Sequence, residues 1–138
     1  MILSIILSLI FLVLSLIHFN WALGGSYGFE VSLPTKVNGE RILNPKKIDS
    51  AIVGLGLLSF SLFYFFNSQL VSYSLPDWIT TYASWIIPII FTVRAIGDFK
   101  YVGFFKSVKS TKFGKVDTRF FSPLCLSIGL TGILIAVA

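Results

Sequence analysis

The sequence predicts an all-α membrane protein, with four transmembrane helices in a compact bundle, on three observations. Charged residues divide the 138-residue chain into four long apolar runs. Hydrophobic residues make up 55% of the chain and charged residues 12%, where a soluble domain carries about 25% charged. All 11 Lys and Arg residues fall in the first and third connecting segments or at their edges. A chain of this length makes one domain, so residues 1–138 read as a single four-helix unit. Its polar residues are too few to cover a water-soluble fold of that size. A mean hydropathy of +0.87 also excludes a disordered chain.

Helix one is expected over about residues 2–23, a stretch without charge. It lacks a positively charged start and exceeds the apolar length of a signal peptide. It therefore reads as a retained span, although Ala22-Leu23-Gly24 loosely resembles a cleavage site. In the first loop, Glu30-Val31-Ser32-Leu33 and Arg41-Ile42-Leu43 flank Lys36-Val37-Asn38-Gly39. Asn-Gly is a strong two-residue turn signal, so a short β-hairpin is predicted on the membrane face, as a connector or a lid.

Helix two is expected over about 50–70 and carries Gly54, Gly56 and Ser59. Helix three is expected over about 78–97. Its uncharged run, 78–93, has 16 residues, short of the roughly 20 that cross a bilayer. The helix should therefore continue through Arg94 to Gly97. Pro88 cannot donate to the Ser84 carbonyl and predicts a kink. Helix four, about 120–138, carries Gly129, Gly132 and Ala136. Small residues let helices approach closely in lipid. Packing inside one bundle accounts for them, and a homo-oligomer stays open.

The segment from Phe99 to Phe121 interleaves Tyr101, Phe104, Phe105, Phe113, Phe120 and Phe121 with Lys106, Lys109, Lys112 and Lys115. Such rings sit among headgroups while each lysine near an anionic surface contributes on the order of 1 kcal/mol. The segment reads as an interfacial anchor. RNA binding uses the same residue types, but nothing selects it, and nucleic acid is not an expected partner. The net charge of +5 thus becomes a statement about the bilayer and its anionic headgroups. The positive-inside rule makes the long basic loops cytoplasmic and puts both termini outside, in a bacterial inner (plasma) membrane.

Polar residues gather at that cytoplasmic end. His18, Asn20 and Trp21 lie in the last turns of helix one, with His18 about 7.5 Å inside the helix end. Arg94 and Asp98 share a face at i and i+4. Asp117 and Arg119 precede helix four, and Cys125 lies near its start. Read as a pocket, this group has Arg94 binding an anion, Asp98 or Asp117 orienting Arg94, and His18 donating or moving a proton. Read structurally, it is an ion-pair network locking three helices. With one His and one Cys, neither a disulfide nor a His/Cys zinc site is expected, and no metal or cofactor is implied. No carboxylate lies mid-span, which argues against a proton-coupled exporter. No Ser-His-Asp arrangement is recognisable.

His18-Phe19-Asn20-Trp21-Ala22-Leu23-Gly24-Gly25, Arg94-Ala95-Ile96-Gly97-Asp98-Phe99 through Gly103-Phe104, and Asp117 with Ser122-Pro123-Leu124-Cys125 together carry a resemblance. They resemble a family of small bacterial integral membrane proteins catalogued as a domain of unknown function. The resemblance runs from His18 to the end and implies four transmembrane helices in a bacterial membrane. It implies no activity. The leading functional expectation is a binding protein. Its cytoplasm-facing pocket, lined by His18, Trp21, Arg94, Asp98 and Asp117, would hold an anionic or amphipathic small molecule or a lipid headgroup. The alternatives are a membrane enzyme acting on a lipid or isoprenoid, with His18 or an aspartate as general acid/base, and a non-catalytic subunit or immunity-type protein.

Overall fold

In lipid every backbone amide must find its partner within the protein, so apolar runs of this length fold as helices. A computed structural model describes residues 2–25, 38, 46–70, 75–97 and 102–137. Three long helices come first: α1 (Ile2–Ala22), α2 (Lys47–Asn67) and α3 (Asp77–Ile96). A short α4 (Lys112–Val116), a π-helical turn (Asp117–Phe121) and α5 (Ser122–Val137) follow. Together these last three form a helical stretch, Phe113–Val137, that is long and apolar enough to cross a membrane, as are α1, α2 and α3. With four such helices among the described residues, the chain is a multi-pass membrane protein. The expected hairpin falls outside the described residues, apart from Asn38, which lies in a turn.

Local chemistry moves two of the expected boundaries. α2 starts three residues earlier than the charge pattern suggested, because the Lys46 backbone N–H donates to the Asp49 carboxylate at 2.8 Å. This satisfies an amide at the open end of the helix. The last span also starts early, at the N-cap Thr111, whose hydroxyl accepts from the Gly114 N–H at 2.9 Å. The charged stretch from Lys115 to Arg119 is therefore helical rather than a loop.

α1 packs chiefly on α2, and α3 chiefly on α5. The α1–α2 contact is antiparallel and built on serines. Ser8 Oγ donates to the Ser61 carbonyl (2.8 Å), and Ser61 Oγ donates back to the Ser8 carbonyl (2.7 Å). Ser15 Oγ donates to the Gly54 carbonyl at 3.1 Å. Asn67 Nδ2 donates to Ser4 Oγ at 3.3 Å. Ser4, Ser8, Ser15, Ser50 and Ser61 are all buried. Small hydroxylated side chains let two backbones approach and then bond across the gap. Gly54 belongs to this seam, lying against the Phe19 ring. Gly56 and Ser59 do not: Gly56 has open space beside it, and exposed Ser59 donates to its own helix at Leu55 (2.9 Å).

The two pairs meet around aromatic rings. Phe11 is fully buried, stacked on Tyr64 at 5.8 Å and tilted against Phe91 at 5.2 Å. Leu7, Leu57, Phe63, Ile87 and Ile128 complete that core. α3 runs through Pro88 as one helix, and the proline ring is used for packing. A Cβ at Gly132 would lie 2.6 Å from Pro88 Cγ, so the missing side chain in α5 makes room for the proline ring.

Candidate functional site

α3 ends at Gly97 because the next step needs a backbone that other residues adopt at a cost. Gly97 has φ +85° and Gly103 has φ +92°. A Cβ on Gly97 would overlap the Val102 carbonyl oxygen, and one on Gly103 would overlap the Ile96 carbonyl oxygen. The chain thus returns against the end of α3. The Phe104 N–H donates to the Ala95 carbonyl at 2.7 Å, satisfying a carbonyl in the helix's last turn.

That return brings three charges together. Arg94 Nη2 donates to Asp117 Oδ1 at 2.8 Å. Lys106 Nζ lies 3.1 Å from Asp117 Oδ2, and the Gly103 N–H donates to the same oxygen at 2.8 Å. Lys106 Nζ also donates to the Gly103 carbonyl at 3.0 Å and to the Thr118 hydroxyl. The Asp117 and Lys106 side chains are 0% exposed, whereas Arg94 keeps 30% of its side chain exposed. Ions this deep are tolerable only when paired and hydrogen-bonded. Asp117 meets that condition through two cations and an amide. Lys106 meets it by using its three N–H donors on three acceptors.

Asp117 opens the π-helical turn, and the Ser122 N–H closes it on the Asp117 carbonyl. The extra residue per turn shifts the helix face at this point, a distortion that recurs at functional sites. Just beyond it, Ser122 is 0% exposed. Two polar atoms in this region are buried without a hydrogen-bond partner, Arg94 Nη1 and Ser122 Oγ. Buried donors are normally satisfied, so each such atom calls for a reason.

The sequence-derived site residues separate into two groups. Arg94 and Asp117 are brought together directly. His18 and Trp21 sit on α1 with ring centroids 4.6 Å apart, and His18 Nδ1 bonds to the Leu14 carbonyl at 2.8 Å. Among the described residues no hydrogen bond or ion pair joins His18 to Arg94 or Asp117, so a histidine–aspartate relay is not formed there. Asp98 lies outside the described residues. The i,i+4 pairing foreseen for Arg94 therefore lies outside them too, and within them Arg94 bonds Asp117. Lys106 corrects the sequence reading outright: expected to face phosphates, it is buried in the ion cluster. Phe113 is likewise buried at 3% exposure, although Phe105 and Phe120 are exposed as expected of an anchor. Nothing in composition separates Lys106 from its exposed neighbour Lys109. The available signal was the glycine pair Gly97 and Gly103, which turns the chain back beside it.

Among the described residues no three His, Cys, Asp or Glu side chains gather as a metal would need. A family model described as a protein of unknown function (DUF3995) matches residues 11–131. No curated protein and no solved structure matches the chain.

Proposed function

We propose, for a chain that belongs to the DUF3995 family, a binding function: Arg94 holds the anionic headgroup of an amphipathic molecule or lipid. One observation carries this reading. The guanidinium is half used, with Nη2 fixed on Asp117 while Nη1 is buried without a partner. A charged donor that is already oriented loses little freedom when an anion arrives. Among the described residues, two cations face one carboxylate, a net positive balance. The 30% of the Arg94 side chain that remains exposed offers a way in. The basic loops support a cytoplasmic position for this end of the bundle under the positive-inside rule, in a bacterial inner membrane. His18 and Trp21, on the last turns of α1, stand at the same end and contribute an amphipathic rim.

The test is lipid binding by the purified protein in neutral detergent, followed by native mass spectrometry with phosphatidylglycerol added. The wild-type protein should retain the lipid, and Arg94→Gln should weaken retention by about tenfold, the scale of one charge-assisted hydrogen bond. Equal retention by both proteins would remove Arg94 from the site.

A further inference from the structure

We propose that the face formed by residues 104–120 is a binding surface for anionic phospholipid. This goes beyond a single headgroup at Arg94, because it concerns the shell of lipid around the protein. A layering of rings and cations by depth carries it. The Phe104 N–H donates to the Ala95 carbonyl. Phe104 and Phe105 therefore stand level with the last turn of α3, where the apolar run of that span stops at Arg94. Phe120 lies about one turn into the last span from Asp117, the residue that Arg94 holds. All three rings are exposed, Phe105 at 63% and Phe120 at 57%. Exposed apolar rings at this level meet the boundary between hydrocarbon and headgroups.

The lysines stand further out, and Arg119 lies at the boundary itself. Lys115 precedes Asp117 by two residues. The Lys109 carbonyl oxygen would lie 2.9 Å from a Cβ on Gly114, which places Lys109 beside α4. Lys109, Lys115 and Arg119 are exposed. α4 is held in place by Phe113, which is buried and packs on Phe121 with ring centroids 6.0 Å apart. Asp117 is the only acidic side chain after residue 98 in the sequence, and two cations already hold it. The positive surplus does not depend on where the other carboxylates lie. With Glu30, Glu40, Asp49 and Asp98 counted beside Asp117, this end of the bundle carries 11 basic residues against five acidic ones. Rings at the boundary with cations at and above it match a phospholipid, whose acyl chains and anionic phosphate are stacked in the same order. A nucleic acid offers the charge without a hydrocarbon layer beneath it.

The full chain is reconstituted in phosphatidylcholine vesicles with a trace of spin-labelled phosphatidylglycerol or phosphatidylcholine, and the immobilised fraction of label is read by electron paramagnetic resonance. Phosphatidylglycerol should be preferred about fivefold at roughly 0.05 M salt, the effect of one lysine contact per lipid, and about twofold at roughly 0.5 M. Lys109→Gln, Lys115→Gln and Arg119→Gln together should reduce the low-salt preference to about half or less. A nitroxide on Phe105→Cys, in a Cys125→Ser protein, should meet dissolved oxygen more readily than an aqueous nickel chelate, and one on Lys109→Cys should do the reverse. A lipid preference unchanged in the triple variant, or a Phe105 label more open to nickel than the Lys109 label, would overturn the proposal. Retention of an oligouridylate by the wild-type protein and not by the triple variant, with no preference among lipids, would assign the face to nucleic acid and overturn it as well.

Discussion

Asp117 receives donors from three places in the chain: Arg94 in the last turn of α3, the Gly103 backbone, and Lys106. Removing one member of a buried ion cluster strands the others in a region of low polarity. Asp117→Ala should therefore destabilise the protein by about 3–5 kcal/mol, seen as a lower melting temperature in detergent. Arg119→Ala, on an exposed position two residues away, should change it by less than about 0.5 kcal/mol. A similar loss from both would show that the cluster stabilises little. The sequence made Arg94 and Asp117 visible because charges inside or beside apolar runs are rare. It left two partners open for Arg94, because Asp117 lies 23 residues away and Asp98 is the nearer carboxylate in the chain. Lys106 was hidden for a different reason. Burial of a lysine depends on the path of the chain around it, and that path is decided by two left-handed glycines.

At the scale of the helices, the serine seam between α1 and α2 is the counterpart of the ion cluster. Ser8 and Ser61 exchange hydroxyl-to-carbonyl bonds, and a larger side chain at either position would push the backbones apart. Ser61→Leu should cost about 1–3 kcal/mol, measured by unfolding in mixed micelles. Ser59→Leu, two residues from Ser61 and exposed, should stay within about 0.5 kcal/mol. Equal effects would mean the seam is not a tight contact. The spacing of Ser4, Ser8 and Ser15 was present in the sequence, at positions that share one helix face. Glycine and alanine draw attention as close-packing residues, and serines scattered through an apolar run do not. Gly56 and Ser59 have the right size at the wrong angle, since only the neighbouring helix decides which face is inside. The span limits were far more legible. Lipid demands about 20 apolar residues per crossing, and that demand is written locally along the chain.

For the whole molecule, four spans give two faces, and the distribution of charge predicts which of them is cytoplasmic. All 11 basic residues lie in or beside the two loops on one face. Single cysteines at Asn38 and Gln69, in a Cys125→Ser background, should therefore differ toward an impermeant maleimide on intact cells. Gln69 should label and Asn38 should not; the reverse pattern would invert the proposed topology. The ion cluster also bears on how the molecule is made. Arg94 leaves the ribosome 23 residues before the carboxylate that neutralises it, and Lys106 emerges between them. Until the segment after α3 is synthesised, α3 is a short apolar segment ending in a cation that has not yet met Asp117. The second half of the protein is thus suited to entering the bilayer as one hairpin, α3 together with the final helix. The helix that follows Asp117 is the one that makes the third span tenable.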